Sequence, residues 1–454
     1  MLRRILFYLF LIPFIGCSAE QSQTNKDYQL FTVPYNRDNP DKSKTIAIAY
    51  KVIPALKQSG KPPIVFLQGG PGGSSLFWSS YWLNNPLREE HDIILFDQRY
   101  TGFSQSYCSW ASESLLELAR KDMSLQEEVS AIKEIAKRCR KEFIDNGIDI
   151  KTISTTENVE DLEALRKEIK ADKMILLGGS YGTRLGLKYL QKYQENVSAS
   201  ILTGAFPPSV SLHNNLMENF ESSLKYLVNL CENDENCNSK YSDLTAVHSA
   251  NIASLQKSPF KVNFNNRDFY LNTQDYLLIL QQMLYSKQTA QLIPKYIYSI
   301  QNKNQETIRI GISNTINAIS GLNPGAFWGY LTNEPKEQIM THKLYSKNRS
   351  SGFSFFIPNS DIFKSWGGIY NNDSIEFLKH IKTPTLMVNG NLDPITPTKD
   401  ARLIVENMPN SQLLEFPFDG HGVFNNCFFN SVLKFLNNEE MDTKCSKNSP
   451  INFD

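Results

Sequence analysis

Residues 173–190 read KMILLGGSYGTRLGLKYL, and the fold turns on how they are read. The apolar run Met174–Leu177 meets two glycines, then Ser180, Tyr181 and Gly182. Leu185, Leu187 and Leu190 follow in a helix-like pattern. A serine set among glycines where a strand becomes a helix has two readings. In one, a G-x-S-x-G turn forces the serine out of the sheet on a strained backbone, and Gly178 and Gly182 remove side chains that would collide across the turn. In the other, the glycines simply let a strand leave its sheet. The rest of the chain decides between them.

Three more apolar runs end in Gly/Pro turns: Pro63–Leu67 before QGGPGGSS, Asp92–Phe96 before DQRYTGFS, and Ser198–Leu202 before TGAFPP. Continuous runs of this kind suit strands buried on both faces of a parallel sheet. Thr45–Val52 alternates instead, as a half-exposed strand does. Asn158–Ile169 carries Val159, Leu162, Leu165 and Ile169 at helical spacing. Strands alternating with helices predict a doubly wound α/β fold with a mostly parallel central sheet. The pattern stops after Pro207–Pro208 and gives way to helical stretches such as NLMENFESSLKYLVNLC and TQDYLLILQQMLY. Strands resume at Thr385–Val388 and Leu413–Phe416. The expected organisation is a leader over 1–17, a core in two parts over 27–207 and 379–454, and a mainly helical cap inserted over 208–378.

The 454 residues are 41% hydrophobic and 21% charged, an ordinary globular balance. Lys+Arg and Asp+Glu both total 47, so no basic surplus points to nucleic acid. The start is different. MLRR precedes an eleven-residue apolar run, Ile5–Ile15, then Gly16, Cys17, Ser18 and Ala19. That is a secretory signal in shape, too short to span a bilayer comfortably. Phe14–Cys17 resembles a bacterial lipobox, although that pattern favours Leu where Phe14 stands. The resemblance implies lipidation of Cys17, and Ser18 beside it implies outer-membrane sorting. Cleavage near Ala19 is the alternative.

Setting Cys17 aside leaves six cysteines, for which fifteen pairings exist. Sequence proximity favours Cys108–Cys139, Cys231–Cys237 and Cys427–Cys445. Such bonds persist in an oxidising compartment, and each would contribute about 2–4 kcal/mol in the chain-entropy model. Six free buried thiols are the alternative. No C-x-x-C pair or Cys/His cluster suggests a metal, and nothing calls for a cofactor.

A serine hydroxyl needs a base, and the base needs an orienting carboxylate. Of the six histidines, His421 stands out. It lies in FDGHGVF just past the strand Leu413–Phe416, between glycines that let a loop bring it over the sheet. Asp393, in NGNLDPITP after the strand Thr385–Val388, is the candidate carboxylate. Asp400 falls on an expected helix, and Asp419 is too near His421 to face it. Ser180, Asp393 and His421 each follow the C-terminal end of a separate strand, where open α/β sheets carry their sites. An oxyanion needs preorganised N–H donors. Tyr181, directly after the serine, and Gly70, in QGGPGGSS, are the candidates; Pro71 can only shape that loop.

Together these residues resemble the proline iminopeptidase and tripeptidyl aminopeptidase family of α/β-hydrolases. The family's HGGPG loop corresponds to Gln68–Gly72, its DQRGxGxS motif to Asp97–Ser104, its elbow to Gly178–Gly182, its G-x-x-D-P-x-T-P segment to Gly390–Pro397, and its G-H-G to Gly420–Gly422. Gln68 stands where histidine is usual, and Tyr100 replaces a glycine, which would change the wall near the site. The resemblance implies an exopeptidase acting on peptides with a free N-terminus, covered by the inserted cap. Glu218 and Glu221, at the start of the first cap helix, are candidates for binding the substrate ammonium. Trp328, Phe355, Phe356 and Trp366 are candidates for an apolar pocket, or equally cap core. An esterase or lipase would use the same triad, and a non-catalytic peptide-binding surface lipoprotein is the reading of another class. Epoxide hydrolysis would need Asp at the elbow.

Overall fold

The computed structural model describes residues 27–39, 44–210, 215–332, 366 and 374–453. The leader with Cys17, and Phe355 and Phe356, lie outside the described residues. Eight strands form one sheet: β1 (Gln29–Pro34), β2 (Thr45–Ile53), β3 (Ile64–Leu67), β4 (Ile93–Phe96), β5 (Met174–Gly179), β6 (Val197–Thr203), β9 (Thr385–Gly390) and β10 (Ser411–Phe416). Their order is β1-β2-β4-β3-β5-β6-β9-β10. The β1–β2 and β2–β4 pairs are antiparallel and every other pair is parallel. The sheet is mostly parallel, as the run-and-turn pattern predicts, and its fold is that of the α/β-hydrolases, as the family resemblance implies.

Side-chain alternation splits each central strand between two apolar layers. Val65, Leu67, Ile94, Phe96 and Leu176 face one layer. Ile64, Phe66, Ile93, Leu95 and Leu177 face the other. Both faces are covered, which is why β3 and β4 are buried along their whole length and carry no polar side chain. β2 departs from the expected half-exposed pattern, since Ile48, Ala49 and Tyr50 are all buried. β1 and β4 flank it, and Phe31 of β1 packs on Tyr50. β1 itself had no distinctive sequence signal.

Between β6 and β9 the chain builds a second core of its own, with Phe220, Leu227, Leu277, Leu280, Ile297 and Ile308 among its residues. Among its described residues the insertion is helical apart from a hairpin, β7 (Phe260–Phe264) and β8 (Arg267–Leu271). Asn265 and Asn266 turn it at φ of 53° and 59°, the left-handed pair that two-residue hairpins favour. Segments cross between the two cores in both directions. Helix Pro324–Thr332 of the insertion sends Ala326, Trp328 and Tyr330 into the sheet's core. Ile451 and Phe453 of the C-terminal tail pack into the insertion's core. Disulfides join Cys108–Cys139, Cys231–Cys237 and Cys427–Cys445.

Candidate active site

β5 ends at Gly179 and the helix Tyr181–Tyr193 begins at once. Ser180, between them, sits at φ 53°, ψ −122°, a region that L-residues rarely occupy. The turn is held by Ser180 N–H donating to Thr203 O at 2.9 Å and Thr183 N–H donating to Ser180 O at 2.8 Å. Its tightness dictates the glycines. A Cβ on Gly182 would lie 1.9 Å from Leu67 O, and one on Gly178 would lie 2.6 Å from Gly182 O. The serine is thus presented at the C-terminal edge of the sheet by backbone that admits no side chain at the position two residues before it or two after it.

Asp393 follows β9 in a loop whose own groups fix its carboxylate. Oδ1 accepts from Ile395 N at 2.8 Å and Thr396 N at 2.9 Å, while Thr396 Oγ1 donates to Oδ2 at 2.8 Å. The same Oδ2 lies 2.8 Å from His421 Nδ1. An ionised carboxylate only accepts, so this contact keeps the proton on Nδ1 and leaves Nε2 its lone pair. The imidazole rests against the exit of β6, where a Cβ on Gly204 would come within 3.1 Å of His421 Cε1. Since Ser180 is hydrogen-bonded to the preceding residue, Thr203, serine and imidazole flank one strand end. No hydrogen bond joins Ser180 Oγ to His421 among the described residues; such contacts commonly tighten only with substrate bound.

The other two carboxylates stay apart from the imidazole. Asp419 Oδ2 accepts from Asn425 Nδ2 at 3.3 Å. Asp400 lies in the first turn of helix Thr398–Asn407, and burial first, then the nearby Asp393 carboxylate, push it up to about 7 against the pull of Lys399.

The loop after β3 lies beside the serine. Gly69 is the residue packed on Ser180, since a Cβ there would lie 2.8 Å from Ser180 Cβ. Gly70, the sequence candidate, takes φ +117° and packs towards Leu322 of the insertion. Tyr181 opens the elbow helix, whose N-terminal N–H groups and dipole favour negative charge. Its hydroxyl is anchored 2.6 Å from Thr155 Oγ1.

The DQR motif builds the frame of this loop. Asp97 is buried and accepts from Ser75 N at 2.7 Å, Leu76 N at 3.1 Å, Phe103 N at 2.9 Å and Ser74 Oγ at 2.8 Å. Burial pushes its pKa up, and those donors pull the other way. Gln98 Nε2 donates to Gln68 O at 2.8 Å. Arg99 is fully buried and pairs with Asp161 at 2.7 Å.

Two expectations are corrected. Tyr100 does not alter a wall of the site: its φ of 64° lies in the left-handed region that favours glycine, and its ring is fully buried, against Phe143 at 5.4 Å. Trp366 is not a pocket wall either. It is fully buried between Phe143 and Trp328, with ring centroids 5.9 Å from each, because the apolar indole is covered by core helices. Glu218 and Glu221 are exposed. On the same helix, Leu216–Glu232, it is Asn219 and Ser223 that reach the Asp393 loop. Tyr285, also from the insertion, places its ring 4.8 Å from that of His421. No local pattern marks these three residues.

The sheet order defines the class, an α/β-hydrolase scaffold, and the strained serine, the imidazole paired with Asp393 and the glycine loop stand together at one sheet edge. Comparison with known proteins agrees. Residues 62–298 match the alpha/beta hydrolase fold family and residues 370–447 match the family described as TAP-like protein. The chain belongs to the α/β-hydrolase family, with a C-terminal part of the TAP-like kind. It is similar to serine protease Hip1 of Mycobacterium tuberculosis, 27% identical over 39% of this chain and 35% of that protein. It is similar to a proline iminopeptidase of Arabidopsis thaliana, 29% identical over 33% of this chain and 29% of that protein. The matched regions thus span about a third of those relatives' lengths. A putative hydrolase of Escherichia coli, YuaR, is 21% identical over 90% of this chain and 82% of its own. Among solved structures, the α/β-hydrolase MGS-M2 from a deep-sea metagenome library aligns over 87% of this chain and 96% of its own at TM-score 0.43 and 15% identity.

Proposed function

We propose that this chain is an exported serine aminopeptidase that releases a residue or a tripeptide from free peptide N-termini. The observation that carries the catalytic part is the Asp393–His421 contact at 2.8 Å beside the strained Ser180. In this reading Ser180 Oγ attacks the scissile carbonyl and His421 Nε2 takes its proton. Asp393 holds the imidazole and stabilises its cation. The oxyanion forms between the Tyr181 N–H and the glycine loop after β3, in which Gly70 is the proposed second donor. The tetrahedral intermediate collapses, His421 returns the proton to the leaving amine, and water resolves the acyl-enzyme by the same route. The peptidase part is supported by the names of relatives, a serine protease and proline iminopeptidases. Export is supported by the signal-like leader and by three disulfides. Among the described residues no helix is long and apolar enough to cross a membrane; the proposed membrane attachment is a lipid on Cys17.

Two measurements test this. A fluorophosphonate should label the wild type, and Ser180→Ala should abolish both labelling and turnover with its thermal melt intact. Arylamides of one, two or three residues, with free and blocked amino ends, should be cleaved only when the amino end is free. Turnover confined to short acyl esters would replace the peptidase with an esterase, and an unlabelled wild type would leave a binding protein.

A further inference from the structure

We propose that the inserted helices, not the sheet alone, hold the acid and the base of the triad in register, with Ser223 and Tyr285 as positioning residues. The proposal rests on the serine-hydrolase reading above.

On the acid side, the Asp393 carboxylate is fixed by its own loop, but the loop is fixed by the insertion. Ser223 Oγ donates to Asp393 O at 2.9 Å, and Asn219 Nδ2 donates to Ile395 O at 3.1 Å. These two side chains lie one turn apart on the buried face of helix Leu216–Glu232.

On the base side, both neighbours of His421 are pinned by the residues that end helix Thr273–Met283. Gly422 N–H donates to Tyr285 O at 2.8 Å. Gly420 lies so close that a Cβ on it would sit 1.9 Å from Leu284 O. The Tyr285 ring then meets the imidazole at an interplanar angle of 61°. Burial pushes its phenol up. The imidazole is thus held by Gly204 of the core and by Tyr285 of the insertion.

A mechanical consequence follows from these contacts. If the insertion swung away as a rigid lid, the Ser223–Asp393, Asn219–Ile395 and Gly422–Tyr285 bonds would break together. Acid and base would then lose their supports at the moment substrate entered. These two helices therefore stay seated during turnover, and substrate reaches Ser180 past other parts of the site. The magnitude at stake is large, because a displacement of about 1 Å in a catalytic group can cost on the order of 100-fold in rate.

The test uses the full chain with Tyr285→Ala, Tyr285→Phe and Ser223→Ala. The readouts are kcat and KM on an arylamide that the wild type cleaves, the fluorophosphonate labelling rate at saturating probe, and thermal melts. Tyr285→Ala should lose about 30- to 100-fold in both kcat and labelling rate while KM moves less than about threefold. Tyr285→Phe, which keeps the ring against the imidazole, should restore most of that loss. Ser223→Ala, which removes one hydroxyl, should lose about three- to tenfold in kcat, and it decides alone if Tyr285→Ala does not fold. Wild-type kcat and labelling in the alanine variants would overturn the proposal. So would a rise in KM at unchanged kcat, which would make Tyr285 a wall for substrate. A wild type that neither labels nor turns over would overturn the serine-hydrolase reading and this proposal with it.

Discussion

Ser180 carries the heaviest local burden in the molecule. Its backbone adopts φ 53°, ψ −122°, a conformation that costs on the order of 1–3 kcal/mol for a residue with a side chain. The cost is tolerated because the flanking glycines let the elbow close on Leu67 and Thr203. Asp400, near Asp393, carries a second residue-scale consequence, this time in pH. An unfolded aspartate titrates near ~4, whereas burial holds Asp400 up to about 7. Between those values the folded chain keeps a proton that the unfolded chain has lost. Stability from this group is therefore full at low pH and falls as pH rises from about 4 to about 7. Asp400→Asn removes the ionisation, so its melting temperature should gain on the wild type between pH 4 and pH 8. A melting-temperature difference that is flat across that range would show that Asp400 does not titrate this way.

At the scale of elements, the site is a set of loops tied together at strand ends. Asp97 is the main knot: one buried carboxylate serves N–H donors from the loop after β3 and from the turn after β4. Removing it would orphan three backbone donors, each worth about 1–3 kcal/mol when buried and unpaired. Asp97→Ala should therefore lower stability by at least about 3 kcal/mol in a denaturant titration and slow turnover through the displaced glycine loop. A variant within about 1 kcal/mol of the wild type would mean that those donors find other acceptors or water. The motif that first reads as a signature of chemistry is, in the fold, the brace for it.

At the scale of the whole molecule, two cores share one chain and are joined by few covalent constraints. Cys108–Cys139 closes a separation of 31 residues and is fully buried, with Gly325 of the insertion packed on both sulfurs. Cys231–Cys237 spans only 6. The chain-entropy model assigns about 4 kcal/mol to the longer loop and about 2 to the shorter. Replacing Cys108 and Cys139 together by serine should depress the melting temperature more than replacing Cys231 and Cys237. The reverse order in a calorimetric scan would place the weak point in the insertion.

The sequence alone determined what depends on short range. Buried strands β3 to β6 were legible because unbroken apolar runs closed by glycine or proline have few alternatives. Ser180, Asp393 and His421 could be picked out because each follows such a run, and because glycines crowd the serine and the histidine. Tertiary structure decided what depends on which distant segments meet. β1 has a weak pattern of its own and is a strand because β2 offers an edge. Tyr100 and Trp366 went to the core because helices close over them. Gly69 rather than Gly70 abuts Ser180 because of how the loop after β3 folds back on the elbow. The grip of Ser223 and Tyr285 on the triad loops joins residues 170 and 137 positions apart in the chain, Ser223 with Asp393 and Tyr285 with Gly422. No local periodicity encodes such pairs, because their energy comes from packing that exists only once both cores have formed.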